Sequence, residues 1–553
     1  MDNLIETNKA RRTNLYLALS TGILFGCSFP PFHLGVLACV SLVPLLLLIE
    51  RLNTLRAQFL YSYLSFFVGS CIALYWVGGF THAKDPFLMM AGGLVLLWEP
   101  VFFCMIVLSH VFIRKNLGLA AGLMALPFLW ITFEWLYALG EFAFPWLTLG
   151  NTQTYQLEKI QFAEITGVYG ISLWLVILNV LVFTLFIRSA KVDDRKRQQQ
   201  STSIAIGIVI VYMLPNLFTL ARPFTVSPTR NLPSLRVGIL QPNIDPWEKW
   251  EASKTLTSRW EQVQKYIGMM RDQKKMGIDM SVWPETAILY DLPRYRDNFE
   301  KLEEAIDSLN VSVTSGYITY KYYDEAKAPV ASSIIRGSNV HYDSYNSILY
   351  LEPRSRRVQS YEKMRLVPFA ERIPYADAVP FLIEPLRWSV GISNWGIGPD
   401  STVFEDTIHH TKFLAVVCYE SIFPEFVSSF VKRGAEFMVF ITNDSWWGNT
   451  SGARQHSQFA VLRAVENRRW VVRCANGGIS CFVDPLGRMY DKTQMYTEAS
   501  IVRSIQPRSE QTFYTRHGDW LARVCGMISA LLFAGSLANV FRSRTKETGY
   551  HDA

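Results

Sequence analysis

A chain of 553 residues with 35 Phe, 16 Trp and a positive mean hydropathy is too long for one domain and too apolar for an ordinary soluble enzyme. The net charge of +7 could point to nucleic acid, but much of the Lys and Arg excess lies in short loops between apolar runs, where it reports membrane orientation, so no nucleic-acid partner is expected. The 8 Cys include no CxxC pair and no Cys/His ligand spacing, so neither a disulfide framework nor a metal site is expected, and no cofactor is implied.

A transmembrane helix takes roughly 20 apolar residues. Candidate spans run Asn14 to Phe32, Leu34 to Ile49, Ala57 to Phe80, Phe87 to Ile113, Leu117 to Leu139, Val168 to Ile187 and Ser203 to Ala221, with an eighth from Leu521 to Phe541. The second is short and is expected to form a tight hairpin with the first through Pro30 and Pro31. Further spans follow the first run at once, which argues against a cleaved signal peptide. Lys9, Arg11 and Arg12, then Arg51 and Arg56, Arg114 and Lys115, the cluster Arg188, Lys191, Arg195, Lys196 and Arg197, and Arg542, Arg544 and Lys546 all fall on one side. The intervening loops carry little more than Lys84 and Lys159. By the positive-inside rule the N-terminus, basic loops and tail are cytoplasmic, and everything between Arg222 and Trp520 lies outside.

Two carboxylates, Glu99 and Glu134, sit inside spans, where an ionisable group is a functional candidate unless a neighbouring helix satisfies it. The aromatic loop from Glu141 to Leu147 faces outward and either guides a lipid tail or anchors the bundle.

From Leu235 to Ile505 short apolar runs alternate with amphipathic stretches. Strands are predicted at Leu235 to Leu240, Met280 to Trp283, Val311 to Ile318, Ser347 to Leu351, Phe413 to Val417, Phe437 to Ile441, Val471 to Ala475 and Ile479 to Val483. Helices are predicted near Ser253 to Arg271, Asn298 to Leu309, Phe426 to Arg433 and Ala453 to Arg468. Strands followed by helices imply an α/β sandwich. The domain boundaries expected are 1–222 for a seven-span membrane region, 223–234 for a linker, 235–508 for the extracytoplasmic domain, 521–541 for the last span and 542–553 for a tail.

Candidate chemistry lies at strand ends. Pro284 cannot donate to a sheet ladder, so the chain leaves the sheet there and presents Glu285 on a loop. Cys418 closes Leu414-Ala415-Val416-Val417 and precedes a helix start, where amides and a nearby cation can stabilise a thiolate. With Lys363 these supply a base, a fixed cation and an attacking sulfur. Cys474 and Cys481, on apolar strands, read as core thiols, and His456 reads as a packing or capping residue.

Pro284-Glu285, Glu362-Lys363, Pro368-Phe369-Ala370-Glu371-Arg372-Ile373-Pro374 and Cys418-Tyr419-Glu420 resemble the Glu, Lys and Cys motifs of the nitrilase superfamily. With Thr442 to Gly448, Gln455-His456, Arg463 to Glu466, Asn476-Gly477-Gly478 and Tyr514 to Trp520, the set resembles its membrane-bound branch, the apolipoprotein N-acyltransferases. Ala370 stands where Gly is more usual in that family, and Arg454 is also atypical. The resemblance implies an αββα sandwich joined to a multi-span helical membrane domain. It also implies transfer of an acyl chain from a phospholipid, through a cysteine thioester, to the amine of a diacylated lipoprotein. On it Glu285, Lys363 and Cys418 are the catalytic residues, Glu371, Tyr419 and Glu420 support them, and Trp247 or Trp250 lines the substrate entrance. A bacterial inner-membrane protein with a periplasmic catalytic domain is expected, as a monomer. A membrane-tethered amidase is the rival reading, and about eight spans exceed what tethering needs.

Overall fold

The computed structural model describes residues 2–79, 86–189, 195–222, 234–252, 255–335, 337–378, 381 and 394–548. The expected linker at 223–234, apart from Ser234, lies outside them, as do Lys84, Lys191 and the last five residues of the expected tail.

Among the described residues six helices are long and apolar enough to cross a membrane: Leu55–Leu74, Met89–Leu117, Leu119–Tyr137, Val168–Ile187, Gln198–Ala221 and Trp520–Ser543. The two expected spans not among them are the first pair. The first lies in a long helix, Asp2–Cys27, whose start carries Glu6, Lys9, Arg11 and Arg12, so its apolar section is shorter than a span needs. The second expected span, Leu34 to Ile49, is not one continuous helix. It is a 3₁₀ turn at Gly35–Cys39 followed by a helix at Val43–Arg51. Gly35 accounts for part of this, because its Cα passes so close to the Thr152 carbonyl that a Cβ would sit 2.3 Å from it. The segment therefore packs against the 145–153 turns, and Asn179 bonds both the Leu42 N–H and the Ala38 carbonyl.

Among the described residues the α/β half contains thirteen strands: β1 Leu235–Gln241, β2 Met280–Val282, β3 Ser312–Tyr323, β4 Ser333–Ile334, β5 His341–Leu351, β6 Gln359–Glu362, β7 Phe404–Asp406, β8 Thr411–Val417, β9 Phe437–Thr442, β10 Val471–Ala475, β11 Cys481–Val483, β12 Met489–Tyr490 and β13 Ala499–Ile505. One sheet runs β13-β1-β2-β3-β5-β4 with β6 also paired to β5, and the other runs β12-β11-β10-β9-β8-β7. Val237, Ile239 and Val282 of the first sheet share one core with Val416, Val439 and Cys474 of the second. On the outer face of the first sheet, helices Leu256–Lys275 and Arg296–Leu309 bury Val263, Met270, Leu302 and Ile306. Helices Pro424–Lys432 and Ser451–Asn467 cover the second sheet. The result is the expected four-layer sandwich. Central strands such as Phe437–Thr442 are buried at every position and so read as unbroken apolar runs.

Helix Ser451–Asn467 is buried at every residue except Arg454. A helix covered on all sides needs partners on all sides. Here the second sheet lies on one side and the helical half on the other. Gln455 is the contact point. Its Oε1 accepts from the indoles of Trp76 (3.0 Å) and Trp146 (2.8 Å), and its Nε2 donates to the Pro30 (2.7 Å) and Ala73 (2.9 Å) carbonyls. Elsewhere Glu466 accepts from Val168 N, and Arg468 pairs with Glu164 at 2.7 Å. Buried polar groups matched one to one in this way fix the two halves in a single orientation.

Candidate active site

After β2 the chain leaves the sheet at Trp283-Pro284 and turns through Thr286, whose φ is +49°. The loop lies directly on β3, because position 316 is Gly: a Cβ there would come within 2.5 Å of the Thr286 nitrogen and 2.7 Å of the Pro284 oxygen. Glu285 therefore points inward, 7% exposed. Asn346 on β5 donates to its Oε1 at 2.7 Å.

Lys363 is held by the same strand, its N–H bonded to the Asn346 carbonyl at 2.9 Å. Its fully buried ammonium lies 2.7 Å from Glu371 Oε1 and 3.8 Å from Glu285 Oε1. Glu371 closes its own loop by accepting from Val367 N through Oε2 at 2.8 Å. Cys418 ends β8 at φ +50° and begins a 3₁₀ turn, with the α-helix starting only at Pro424. Its carbonyl accepts from Ser421 Oγ at 2.7 Å and faces His456 Nε2 at 3.1 Å.

Electrostatics separate the three roles. Burial raises the Glu285 carboxyl, with Lys363 opposing it. Burial works against the Lys363 ammonium, but Glu371 and Glu285 overcome it and the net shift is upward, so the lysine stays charged. Burial, followed by the Glu285 charge, pushes the Cys418 thiol well above its ordinary value despite Lys363. Desolvation outweighs the stabilisation that Lys363 offers a thiolate, so the surroundings favour the thiol, which fits a sulfur served by a base. Glu285 and Lys363, 3.8 Å apart, are both close enough to this sulfur for their charges to act on it.

Glu420 is fully buried rather than a solvated loop carboxylate. Its Oε1 accepts from Tyr361 OH (2.5 Å), Met364 N (2.7 Å) and Arg365 N (3.1 Å), and its Oε2 from Val417 N (2.8 Å). It clamps the lysine loop to the cysteine strand. Tyr419 donates to the Ala143 carbonyl of the helical half and packs edge-on against Phe423. A cleft between the two halves is lined by Gly140, Ala143, Met364, Leu366, Tyr419 and Phe423. Trp250 packs near Leu366 and Trp395, whereas Trp247 lies against Trp446, 5.4 Å between ring centroids.

His456 bridges Asp444 Oδ1 (2.8 Å) and the Cys418 carbonyl, and Arg473 holds the other Asp444 oxygen at 2.9 Å. Burial raises the Asp444 carboxyl, but Arg473 and His456 overcome it and hold it low, while burial lowers the His456 imidazole. This network supports the cysteine turn from behind. Cys474 and Cys481 are fully buried. Asp444 lies in the Thr442 to Gly448 motif, whereas Asn346 and Lys249 carry no motif signal pairing them with the site. Only the strand register and the packing of helix Pro246–Ala252 bring them there.

A four-layer α/β sandwich packed onto a bundle of apolar helices is the architecture of a membrane-associated carbon–nitrogen hydrolase-type protein. Residues 236–514 match the carbon-nitrogen hydrolase family model, and residues 21–181 match that of the apolipoprotein N-acyltransferase N-terminal domain. The apolipoprotein N-acyltransferase of Chlorobaculum tepidum is 34% identical over 94% of this chain and 95% of its own, and that of Geobacter metallireducens 29% over 94% and 96%. The chain belongs to the apolipoprotein N-acyltransferase family. An amidase structure from Nesterenkonia sp. aligns with 54% of this chain and 98% of its own at 13% identity, TM-score 0.37.

Proposed function

We propose that the protein moves an acyl chain from a membrane phospholipid to the α-amino group of a diacylglyceryl-cysteine at a lipoprotein N-terminus, in ping-pong order through a thioester on Cys418. The observation that carries this reading is that two oppositely charged groups, Glu285 and Lys363, lie 3.8 Å apart and both act on the Cys418 sulfur. Glu285 has a raised carboxyl, Lys363 a retained charge, and Cys418 rests as a thiol.

Each group has work it can do. Glu285 takes the Cys418 proton as the sulfur attacks the ester carbonyl, and returns it to the leaving lysophospholipid alkoxide. In the second half-reaction it takes a proton from the incoming amine. Its raised pKa brings it nearer neutral pH, which suits a group that must both accept and release a proton. Lys363 stays charged through both steps and stabilises the tetrahedral oxyanion, while Glu371 fixes its position. Glu420 and Tyr419 hold the two catalytic loops to each other and to the helical half. The cleft between the halves supports entry of the acyl chain from the membrane side, with Trp250 the better placed of the two tryptophans to line it.

Positive loops on one side and a paucity of them on the other support a catalytic domain on the periplasmic face of the bacterial inner membrane, with the chain acting as a monomer. A reporter fused after Ile505 should read as periplasmic and one at the C-terminus as cytoplasmic. The direct test of function is incubation of the membrane-embedded protein with acyl-labelled phospholipid, followed by a diacylated lipopeptide. Transfer predicts hydroxylamine-sensitive label on the protein that moves to the peptide. Release of all label as free fatty acid would instead identify a hydrolase.

A further inference from the structure

Lys249 sits between the two tryptophans, in the helix Pro246–Ala252, yet it is the residue there that reaches the site. It is 1% exposed, and its ammonium donates to two neutral oxygens, the Glu285 carbonyl (3.2 Å) and Thr286 Oγ1 (2.9 Å). A lysine so deeply buried is ordinarily paired with a carboxylate. Here the charged partner is the side chain of the same Glu285 whose carbonyl it bonds, and Lys249 helps to lower that carboxyl.

The turn that Lys249 grips is strained. Thr286 is β-branched and adopts φ +49°, a conformation such residues avoid and one that persists only where surrounding contacts impose it. Gly316 permits the approach of the loop, Ile288 N bonds the Gly316 carbonyl at 3.0 Å, and Gln262 bonds the Ala287 carbonyl at 3.0 Å. At the turn itself Thr286 Oγ1 donates to the Glu285 carbonyl (2.8 Å), and Lys249 adds a bond to each of these two oxygens.

We propose that Lys249 is a positioning residue for Glu285: its ammonium pins the left-handed Glu285–Thr286 turn from behind and provides the carboxylate with a second cation besides Lys363. The inference rests on Glu285 serving as the base. The ionisable groups around Glu285 are Lys363 and Glu371 from the loop after β6, Cys418 from the end of β8, and Lys249. Lys363 is locked to Glu371 and keeps its charge. Burial lowers Lys249 to about 7, so its charge is present below neutrality and fades above it. In that acid range it favours the ionised base, so losing it raises the Glu285 pKa. The rate of thioester formation, which falls as Glu285 is protonated, must then begin to fall at a higher pH.

The experiment is the pH profile of single-turnover acylation of Cys418, using mixed vesicles of acyl-labelled phosphatidylethanolamine and phosphatidylglycerol. Lys249→Gln keeps a donor without the charge, and should move the acid limb up by about one pH unit. Lys249→Arg keeps the charge and should leave the limb in place even if crowding lowers the plateau. Lys249→Met loses both, and should move the limb and also lower the plateau by roughly ten- to a hundredfold through misplacement of the base. Half-saturating lipid concentration should stay unchanged in all three. If Lys249→Met does not fold, the Gln and Arg variants carry the test by themselves. An acid limb that is the same in Lys249→Gln as in wild type, or that moves equally in Lys249→Arg, overturns the proposal. Glu285→Gln run alongside separates the two readings. Retained thioester formation there would remove the base assignment itself, whereas an inactive Glu285→Gln with an unmoved Lys249→Gln profile would remove only the role of Lys249.

Discussion

Two pairs of buried carboxylates, one beside Cys418 in the sandwich and one inside the apolar helices, are held differently. In the sandwich Glu420 accepts four hydrogen bonds and Glu371 accepts one backbone N–H while pairing with Lys363. Inside the apolar helices Glu99 receives Tyr137 OH on one oxygen, and Glu134 receives Trp130 Nε1 and Leu149 N on one oxygen. The sandwich uses its acids as clamps that set the positions of other catalytic groups, so each is over-determined. The helical acids tie neighbouring segments together with fewer bonds.

The same contrast holds among cysteines. Cys418, Cys474 and Cys481 all lie on or at the end of strands of one sheet, but of the three only Cys418 stands at a left-handed strand end within electrostatic reach of Lys363 and Glu285. Cys418→Ala should abolish acyl label on the protein, and Cys474→Ala or Cys481→Ala should retain it. Label persisting on Cys418→Ala would break the distinction. Next in size, Lys363→Met should slow both half-reactions by about two to three orders of magnitude, as loss of an oxyanion donor does, with lipid binding retained; stopped-flow or quench measurements of each step check it.

The contrast between clamps and ties is sharpened by a matched pair. Glu420→Ala strands buried donors on two catalytic loops, each costing about 1–3 kcal/mol, so both the melting temperature and thioester formation should drop. Glu99→Gln keeps an acceptor for Tyr137 and should leave thioester formation near the wild-type rate. Equal losses in both would mean that the bundle takes a direct part in the chemistry. The smallest effect is one of pH. Because burial raises the Glu285 carboxyl, acylation should fall with decreasing pH at a point above the ordinary carboxylate range. A profile flat down to that ordinary range would place another group in the role of base.

Much of this was legible in the residues. Pro284 signals that the chain leaves the sheet, and apolar runs locate the central strands because these are buried on both faces. The edge strand β13 and the short β6 escaped notice because half-exposed strands carry polar residues, as in Ser504 and Gln359-Ser360, and lack the apolar run that marks a central strand. Leu34 to Ile49 looked like a span because composition does not reveal a close backbone approach at Gly35. Asn346 and Lys249 were invisible for a related reason. One reaches Glu285 through a strand register and the other through a helix packed behind a turn, and neither relation leaves a spacing in the sequence. Glu371 and Glu420 were legible only through their motifs, and their geometry explains why those motifs contain acids.

The most direct test follows the fate of label on Cys418. After loading with acyl-labelled phospholipid and removal of the excess, a diacylated lipopeptide with a free α-amine is added to one sample and the same peptide with its amine blocked to another. Acyl transfer predicts rapid discharge to the free-amine peptide, and a thioester mapped to Cys418 that persists with the blocked one. Discharge to free fatty acid at the same rate in both samples would contradict transfer as the reaction of this site.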